Sequence, residues 1–274
     1  MAKSNVIRWG FCITWVICIS LPLQAKESFS KDEITTKLSS RYVIESFSRD
    51  RIYGPFQMLS MEINKKPFGI TTIGRVNYAV RQFSSTSTRT GTQFEIDMYP
   101  KLRSGTYTYL NYGWSQDSIL PVYRMGGEIF QSLGSGYEGS FGFRKMKFSS
   151  SEVTIWTAYI GKYFSNYWFS LRGFFTPKDI GTSQTTILSL RQYFSGAVDH
   201  ATLSVGFGSS PTEVTSVDDI AELEKVTLGL SFQWQIAKTL LLKGGAKVRF
   251  EEYKPDTFGT RNVFTIGLQK LFVK

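Results

Sequence analysis

The stretch Leu240-Leu241-Leu242-Lys243-Gly244-Gly245-Ala246-Lys247-Val248-Arg249-Phe250-Glu251 decides the fold. Leu240, Leu242, Gly244, Ala246, Val248 and Phe250 share one parity, and Lys243, Gly245, Lys247, Arg249 and Glu251 share the other. A helix would scatter these charges around its circumference, whereas an extended strand keeps all of them on one face. The segment before it repeats the pattern, with Val226, Leu228, Leu230, Phe232 and Trp234 opposite Thr227, Gly229, Ser231 and Gln233. The short connection from Gln235 to Thr239 predicts that the two form a hairpin.

The same test applied outward divides the chain into segments of roughly 9 to 13 residues with period-two alternation, the pattern of a sheet with one face on lipid and the other on a lumen. Twelve to fourteen strands are predicted, from 41–49 to 262–272, and an even number suits a closed bacterial barrel. The connections supply an independent check. Short turns are expected at Asn64 to Pro67, Pro100 to Gly105, Gly134 to Gly136, Ser165, Ser195 to Val198 and Ile236 to Lys238. Mostly longer loops alternate with them at Ser84 to Thr90, Ser115 to Leu120, Pro177 to Thr182, Ser209 to Leu223 and Lys254 to Arg261. Short periplasmic turns alternating with longer external loops are the habit of such barrels. The fold expected is therefore all-β, a transmembrane antiparallel up-and-down β-barrel. Long strands of this kind argue against a soluble sandwich, whose strands average about five or six residues.

The start of the chain predicts the compartment. Lys3 and Arg8 precede an apolar run from Trp9 to Leu23, and Leu23-Gln24-Ala25 offers a small residue for cleavage, so residues 1–25 read as a secretory signal peptide. The run is shorter than the roughly 20 residues an uncleaved anchor needs. Cys18 follows Trp15-Val16-Ile17, where lipid attachment would want a small residue. Cys12 and Cys18 both leave with this segment, which removes disulfide, zinc-thiolate and cysteine-nucleophile chemistry from the mature chain. The formal net charge of +10 falls to +8 when Lys3 and Arg8 go. Residues 26–40 are polar and read as a short periplasmic lead-in, and 41–274 as one outer-membrane barrel. After residue 25 no apolar run approaches the length of a membrane-spanning helix, so insertion must come from strands. The location expected is the bacterial outer membrane, with outer-membrane lipids, lipopolysaccharide and the barrel assembly machinery as partners. Aromatics near strand ends, among them Tyr107, Tyr109, Tyr112, Trp114, Tyr163, Phe164, Tyr167, Trp168, Phe169, Phe232 and Trp234, are expected to form interfacial girdles.

Tyr99-Pro100-Lys101-Leu102 with Gly105-Thr106-Tyr107-Thr108-Tyr109-Leu110-Asn111-Tyr112-Gly113 resembles the YaiO family of outer-membrane β-barrel proteins. So do Gly127-Glu128-Ile129-Phe130-Gln131-Ser132-Leu133, the run from Gly161 to Arg172, and Leu190-Arg191-Gln192-Tyr193-Phe194. The resemblance is dense from about 95 to 210 and looser elsewhere from 40 onward. It implies an outer-membrane barrel and carries no catalytic residues; it also implies an association with envelope polysaccharide machinery. One departure concerns the last strand, where Phe272 is followed by Val273 and Lys274, and Lys270 interrupts the apolar alternation.

The lumen-facing parity collects Arg75, Arg81, Arg124, Arg144, Lys162, Arg172, Arg191, Lys243, Lys247 and Arg249, against Glu95, Asp97, Glu128, Glu138 and Glu251. Such an excess of bases inside a low-dielectric wall draws anions, which suits an anion-selective passage or a groove for acidic glycans. Arg172, Arg191, Lys243, Lys247 and Arg249 are the residues expected to line any pathway. The competing reading is that these side chains interlock and fill the barrel, giving a structural or surface-binding protein that does not conduct. A lipid hydrolase is the third reading. It depends on His200, the sole histidine, yet Ser204 on the same strand face lies about 13 Å away, too far for a hydrogen bond. No phosphate loop, metal-binding histidine pair or cofactor motif is present, and Asp218, Asp219, Glu222 and Glu224 read as solvated loop charge. Charge dispersed around a lumen argues against nucleic acid as a partner. The functional expectation is a passive conduit, or an accessory, in envelope or exopolysaccharide traffic, without enzymatic activity.

Overall fold

A computed structural model describes residues 34–48, 54–83, 87–177, 182–195, 198–209, 225–254 and 257–273. The expected signal peptide and the loop acids at 218, 219, 222 and 224 lie outside them. The strands are β1 (Ile34–Phe47), β2 (Phe56–Lys65), β3 (Thr71–Gln82), β4 (Thr88–Tyr99), β5 (Lys101–Arg103), β6 (Thr106–Ser115), β7 (Tyr123–Gly134), β8 (Tyr137–Lys147), β9 (Glu152–Phe164), β10 (Tyr167–Pro177), β11 (Thr182–Ser195), β12 (Asp199–Gly208), β13 (Lys225–Ala237), β14 (Leu240–Lys254) and β15 (Thr257–Val273).

Each long strand pairs antiparallel with the next, β4 reaching β6 directly past the three-residue β5. The sheet closes where β1 pairs with β15, from Ile34 opposite Val273 to Phe47 opposite Arg261. The result is a closed barrel of fourteen long strands, within the twelve to fourteen expected. Closure leaves no unpaired edge, the condition for a sheet to sit in hydrocarbon.

Side chains follow the predicted parity. Phe250, Phe264, Ile266, Leu230, Leu188 and Ile160 stand on the outer surface, each about half exposed in the isolated chain, as an apolar band that lipid would cover. Lys243, Lys247, Arg249 and Glu251 face inward, where Glu251 is fully buried. The connections at 135–136, 165–166 and 238–239 are tight and share one end of the barrel, the periplasmic end by the usual asymmetry. At one of them Ser165 takes the left-handed conformation (φ 52°), and the Asn166 carbonyl accepts the Tyr193 N–H at 2.8 Å.

Two boundaries differ from the sequence reading. β1 begins at Ile34, inside the stretch 26–40 expected as a lead-in, because residues 36–40 are paired on both sides, with β15 and with β2. β15 begins at Thr257 rather than 262, so residues 257–261 of the expected 254–261 loop belong to a strand. In both places the local sequence is too polar to advertise a strand, and partner strands supply the hydrogen bonds that fix it.

Candidate functional site in the barrel lumen

Arg172, Arg191, Lys243, Lys247 and Arg249 all point into the lumen, since their strand neighbours Leu171, Leu190, Leu242, Val248 and Phe250 take the outer face. Lys162 does not join them. It shares parity with Trp156 and Ile160 on the outer face, and its ammonium donates to the Tyr137 hydroxyl at 2.9 Å while lying 4.4 Å from that ring. At the periplasmic rim this is a snorkelling lysine.

The inward bases fall into two chemical groups. Across β2, β3, β4, β6 and β7, and from β10 reaching back to β7, they are braced by acids. Arg75 donates to Glu62 at 2.7 Å, Glu95 at 2.8 Å and Asp97 at 3.2 Å. Asp97 also accepts from Asn111 at 2.6 Å and Tyr109 at 3.1 Å, and Arg124 lies 3.5 Å from Glu95. Arg172 donates to Glu128 at 2.7 Å and Thr157 at 3.0 Å, with its guanidinium 4.8 Å from the Tyr159 ring. On the other wall, from β11 round to β1, Arg191, Lys243 and Arg41 make no ion pair among the described residues. Gly267 of β15 faces Lys243 on one side and Arg41 on the other, so one inward row runs Tyr193, His200, Gln233, Lys243, Gly267, Arg41. The charges acting on Lys243 are Glu62, Lys37 and Arg41. The sequence reading missed Lys37 because it lay in the supposed lead-in, and Arg41 because it stood at the first residue of the expected strand.

The two ends of the lumen differ. Towards the outside the side chains pack as a core. Arg261 is fully buried, 3.2 Å from Glu251 and 3.7 Å from Glu45, and the Phe47 ring lies between the guanidinium groups of Arg261 (5.0 Å) and Arg81 (5.7 Å). Met146, Phe148, Val153, Ile155 and Phe174 form a second apolar cluster there. The connection after β6, expected as an external loop, turns back inside. Ile119 and Leu120 bury themselves against Phe56 and Ala79, because an Ile-Leu-Pro run is poorly placed in water. Asp117 accepts the Thr92 N–H at 2.7 Å and pins the turn.

Towards the periplasm the lumen is lined by aromatic rings, so the expected girdle divides. Tyr112, Trp114 and Phe169 face out, whereas Tyr107, Tyr109 and Trp168 face in. Tyr107 stacks on Phe130 at 4.7 Å, Phe130 meets Tyr159 at 6.1 Å, and Tyr159 meets Trp168 at 6.3 Å. The Trp168 indole N–H donates to the Tyr159 hydroxyl at 3.1 Å, and the pair crosses Gly161, where an added Cβ would collide with that hydroxyl. Gly161→Val is therefore expected to displace both rings and cost about 1–3 kcal/mol, read as a change in the near-ultraviolet circular dichroism together with a lower urea midpoint.

His200 has an ordinary setting. Its Nδ1 lies 3.1 Å from the Val198 carbonyl and its ring 5.6 Å from Tyr193, while the Ser204 hydroxyl donates to the Gly229 carbonyl at 3.4 Å. Serine and histidine are not joined, so this geometry contains no nucleophile–base pair. Among the described residues no group of His, Cys, Asp and Glu side chains could hold a metal ion.

Solved structures with this architecture are remote in sequence. A bacterial polysaccharide outer membrane secretin matches with a TM-score of 0.52 at 10% identity, covering 88% of this chain and 99% of its own. The outer membrane protein Omp33 of Acinetobacter baumannii matches with 0.51 at 8% identity, covering 88% and 99%. An anion-selective porin from Comamonas acidovorans matches with 0.45 at 10% identity, covering 87% and 99%. The first two share the fold of this chain. No curated protein sequence matches the chain. Residues 35–213, from the second residue of β1 past the end of β12, match the YaiO membrane beta barrel domain, and the chain belongs to that family of outer-membrane β-barrels.

Proposed function

We propose that the protein is a passive conduit of the outer membrane for anionic solutes, exported by a signal peptide cleaved after Ala25 and serving envelope glycan traffic. The observation that carries this reading is the separation of charge across the lumen. Glu95, Asp97 and Glu128 are held by Arg75, Arg124 and Arg172, while Arg191, Lys243 and Arg41 make no ion pair among the described residues, Glu62 acting on Lys243 only from beyond contact. A row of like charges inside a low-dielectric wall raises the local anion concentration and sets the sign of permeation. Fourteen strands also enclose a wider interior than the eight-stranded case that side chains fill.

The folded barrel in a planar bilayer is expected to conduct with an anion bias. The triple variant Arg41→Gln, Arg191→Gln, Lys243→Gln should keep its conductance and move the reversal potential in a salt gradient towards the cation side. A bilayer that stays silent rejects the conduit. The packed external half favours the second reading, a non-conducting barrel that binds a partner, and silence with the barrel demonstrably folded is the result that would select it.

A further inference from the structure

We infer that the periplasmic half of the lumen contains a subsite for an anionic sugar residue, centred on Arg191 and walled by Trp168, Tyr193 and Tyr163; as a solute contact it builds on the conduit reading above.

Arg191 is set apart from Arg75, Arg124 and Arg172 by having no carboxylate, and from the equally unpaired Arg41 by the two rings it lies against. Arg75, Arg124 and Arg172 each sit within 3.5 Å of a carboxylate. Arg191 donates from Nε to the Thr202 hydroxyl at 2.9 Å and otherwise touches rings, with its guanidinium carbon 5.0 Å from the centre of Trp168 and 5.9 Å from that of Tyr193. Its terminal nitrogens have no acceptor among the described residues. The ring contacts fix the plane of the fork and replace part of its water, so the cation is presented preorganised for a planar bidentate acceptor such as a carboxylate. Asp199, on the neighbouring β12, accepts the Gln235 N–H at its Oδ1, 2.7 Å away.

The surroundings narrow the ligand further. Trp168 and Tyr193 keep part of their surface in the lumen, and Tyr163, 6.4 Å from Trp168, is 51% exposed. Directly beside them Ser170 and Ser189 face each other across β10 and β11, and neither hydroxyl has a side-chain partner among the described residues. A sugar ring has apolar C–H faces and a rim of hydroxyls. Amphipathic rings meet the first and free hydroxyls meet the second. Chloride or phosphate would use the guanidinium alone, and a fatty acid would gain nothing from the serines. A neutral sugar would leave the guanidinium without its partner. An acidic sugar, a uronate, uses all of these groups.

The full-length mature barrel folded in detergent micelles, titrated calorimetrically with tetragalacturonate, is expected to bind it at least about tenfold more tightly than maltotetraose, the loss expected for one charged hydrogen-bonding partner. Inorganic phosphate should not compete at equal concentration. Arg191→Gln and Trp168→Ala should each weaken binding by about tenfold or more, and Arg191→Lys should not restore it, because an ammonium neither stacks nor forks. Lys101→Gln, at an exposed position of β5, serves as a folded control that keeps the affinity. Phosphate competing as well as the oligosaccharide, equal affinity for maltotetraose, or unchanged binding in Arg191→Gln would each overturn the subsite. If Trp168→Ala fails to fold, Trp168→Phe carries the same comparison. Because the titration needs no conduction, a barrel that conducts without binding removes the subsite alone, and one that binds without conducting removes the conduit alone.

Discussion

Replacing Arg75 by methionine is expected to lower the unfolding free energy by about 3–5 kcal/mol, the usual cost of taking one partner from a buried ionic network. Nε, Nη1 and Nη2 of Arg75 each hold a different carboxylate, those of Glu62, Glu95 and Asp97. The side chains of Glu95 and Asp97 are only 3% and 5% exposed, so water has little room to take over. Asn77, Asn111 and Tyr109 would remain as neutral donors, at 2.8 Å, 2.6 Å and 3.1 Å, and Arg124, 3.5 Å from Glu95, would leave Asp97 without a cation. The measurement is the urea midpoint for unfolding from lipid vesicles, followed by the shift in gel mobility that separates folded from heated barrel. Adding Glu95→Gln and Asp97→Asn to Arg75→Met should recover a large part of the loss. An unchanged midpoint in the single variant would mean that lumen water satisfies the acids and that the guanidinium is dispensable.

The pair Ile119→Ala, Leu120→Ala should free the inward turn after β6. Each side chain is almost completely buried, and truncations of this kind cost roughly 2–5 kcal/mol apiece, more than the Asp117 contact alone is worth at about 1.5–3 kcal/mol. The expected readouts are a larger single-channel conductance and new protease sensitivity between β6 and β7, with the barrel still migrating as folded. Conductance equal to that of the unaltered protein would show that the turn does not limit passage.

Much of this architecture is legible in the sequence where one face is uniformly apolar. β13 and β14 declare themselves because Leu228, Leu230, Val248 and Phe250 alternate with polar partners and nothing else explains the period. β1 is illegible over Thr35 to Ser40, where polar residues occupy both parities. Its strand state depends on hydrogen bonds from far along the chain, including the Thr35 hydroxyl donating to the Phe272 carbonyl at 3.1 Å. Lys162 misleads for a related reason, since a long cationic stem reaches the interface as comfortably as the lumen. The aromatics mislead most. A tyrosine or tryptophan has an apolar body and a polar tip, so Trp114 outside and Trp168 inside satisfy the same chemistry, and only strand parity separates them. The five lumen bases were readable as a set, but not which of them acids neutralise, because the Arg172–Glu128 pair joins residues 44 apart and is created by the curvature of the wall.

The join between β1 and β15 has a consequence for biogenesis. Every other pairing joins strands close together in the chain, whereas this one joins strands more than 200 residues apart, such as Ile34 and Val273. Until that pairing forms, the first strand carries a row of bare amides along one margin, which oil tolerates least of all. The unfinished sheet therefore keeps an uncovered margin through most of its assembly, and the pairing of the first strand with the last is the step that removes it. Without the last strand, the first would lose the partner that closes the sheet.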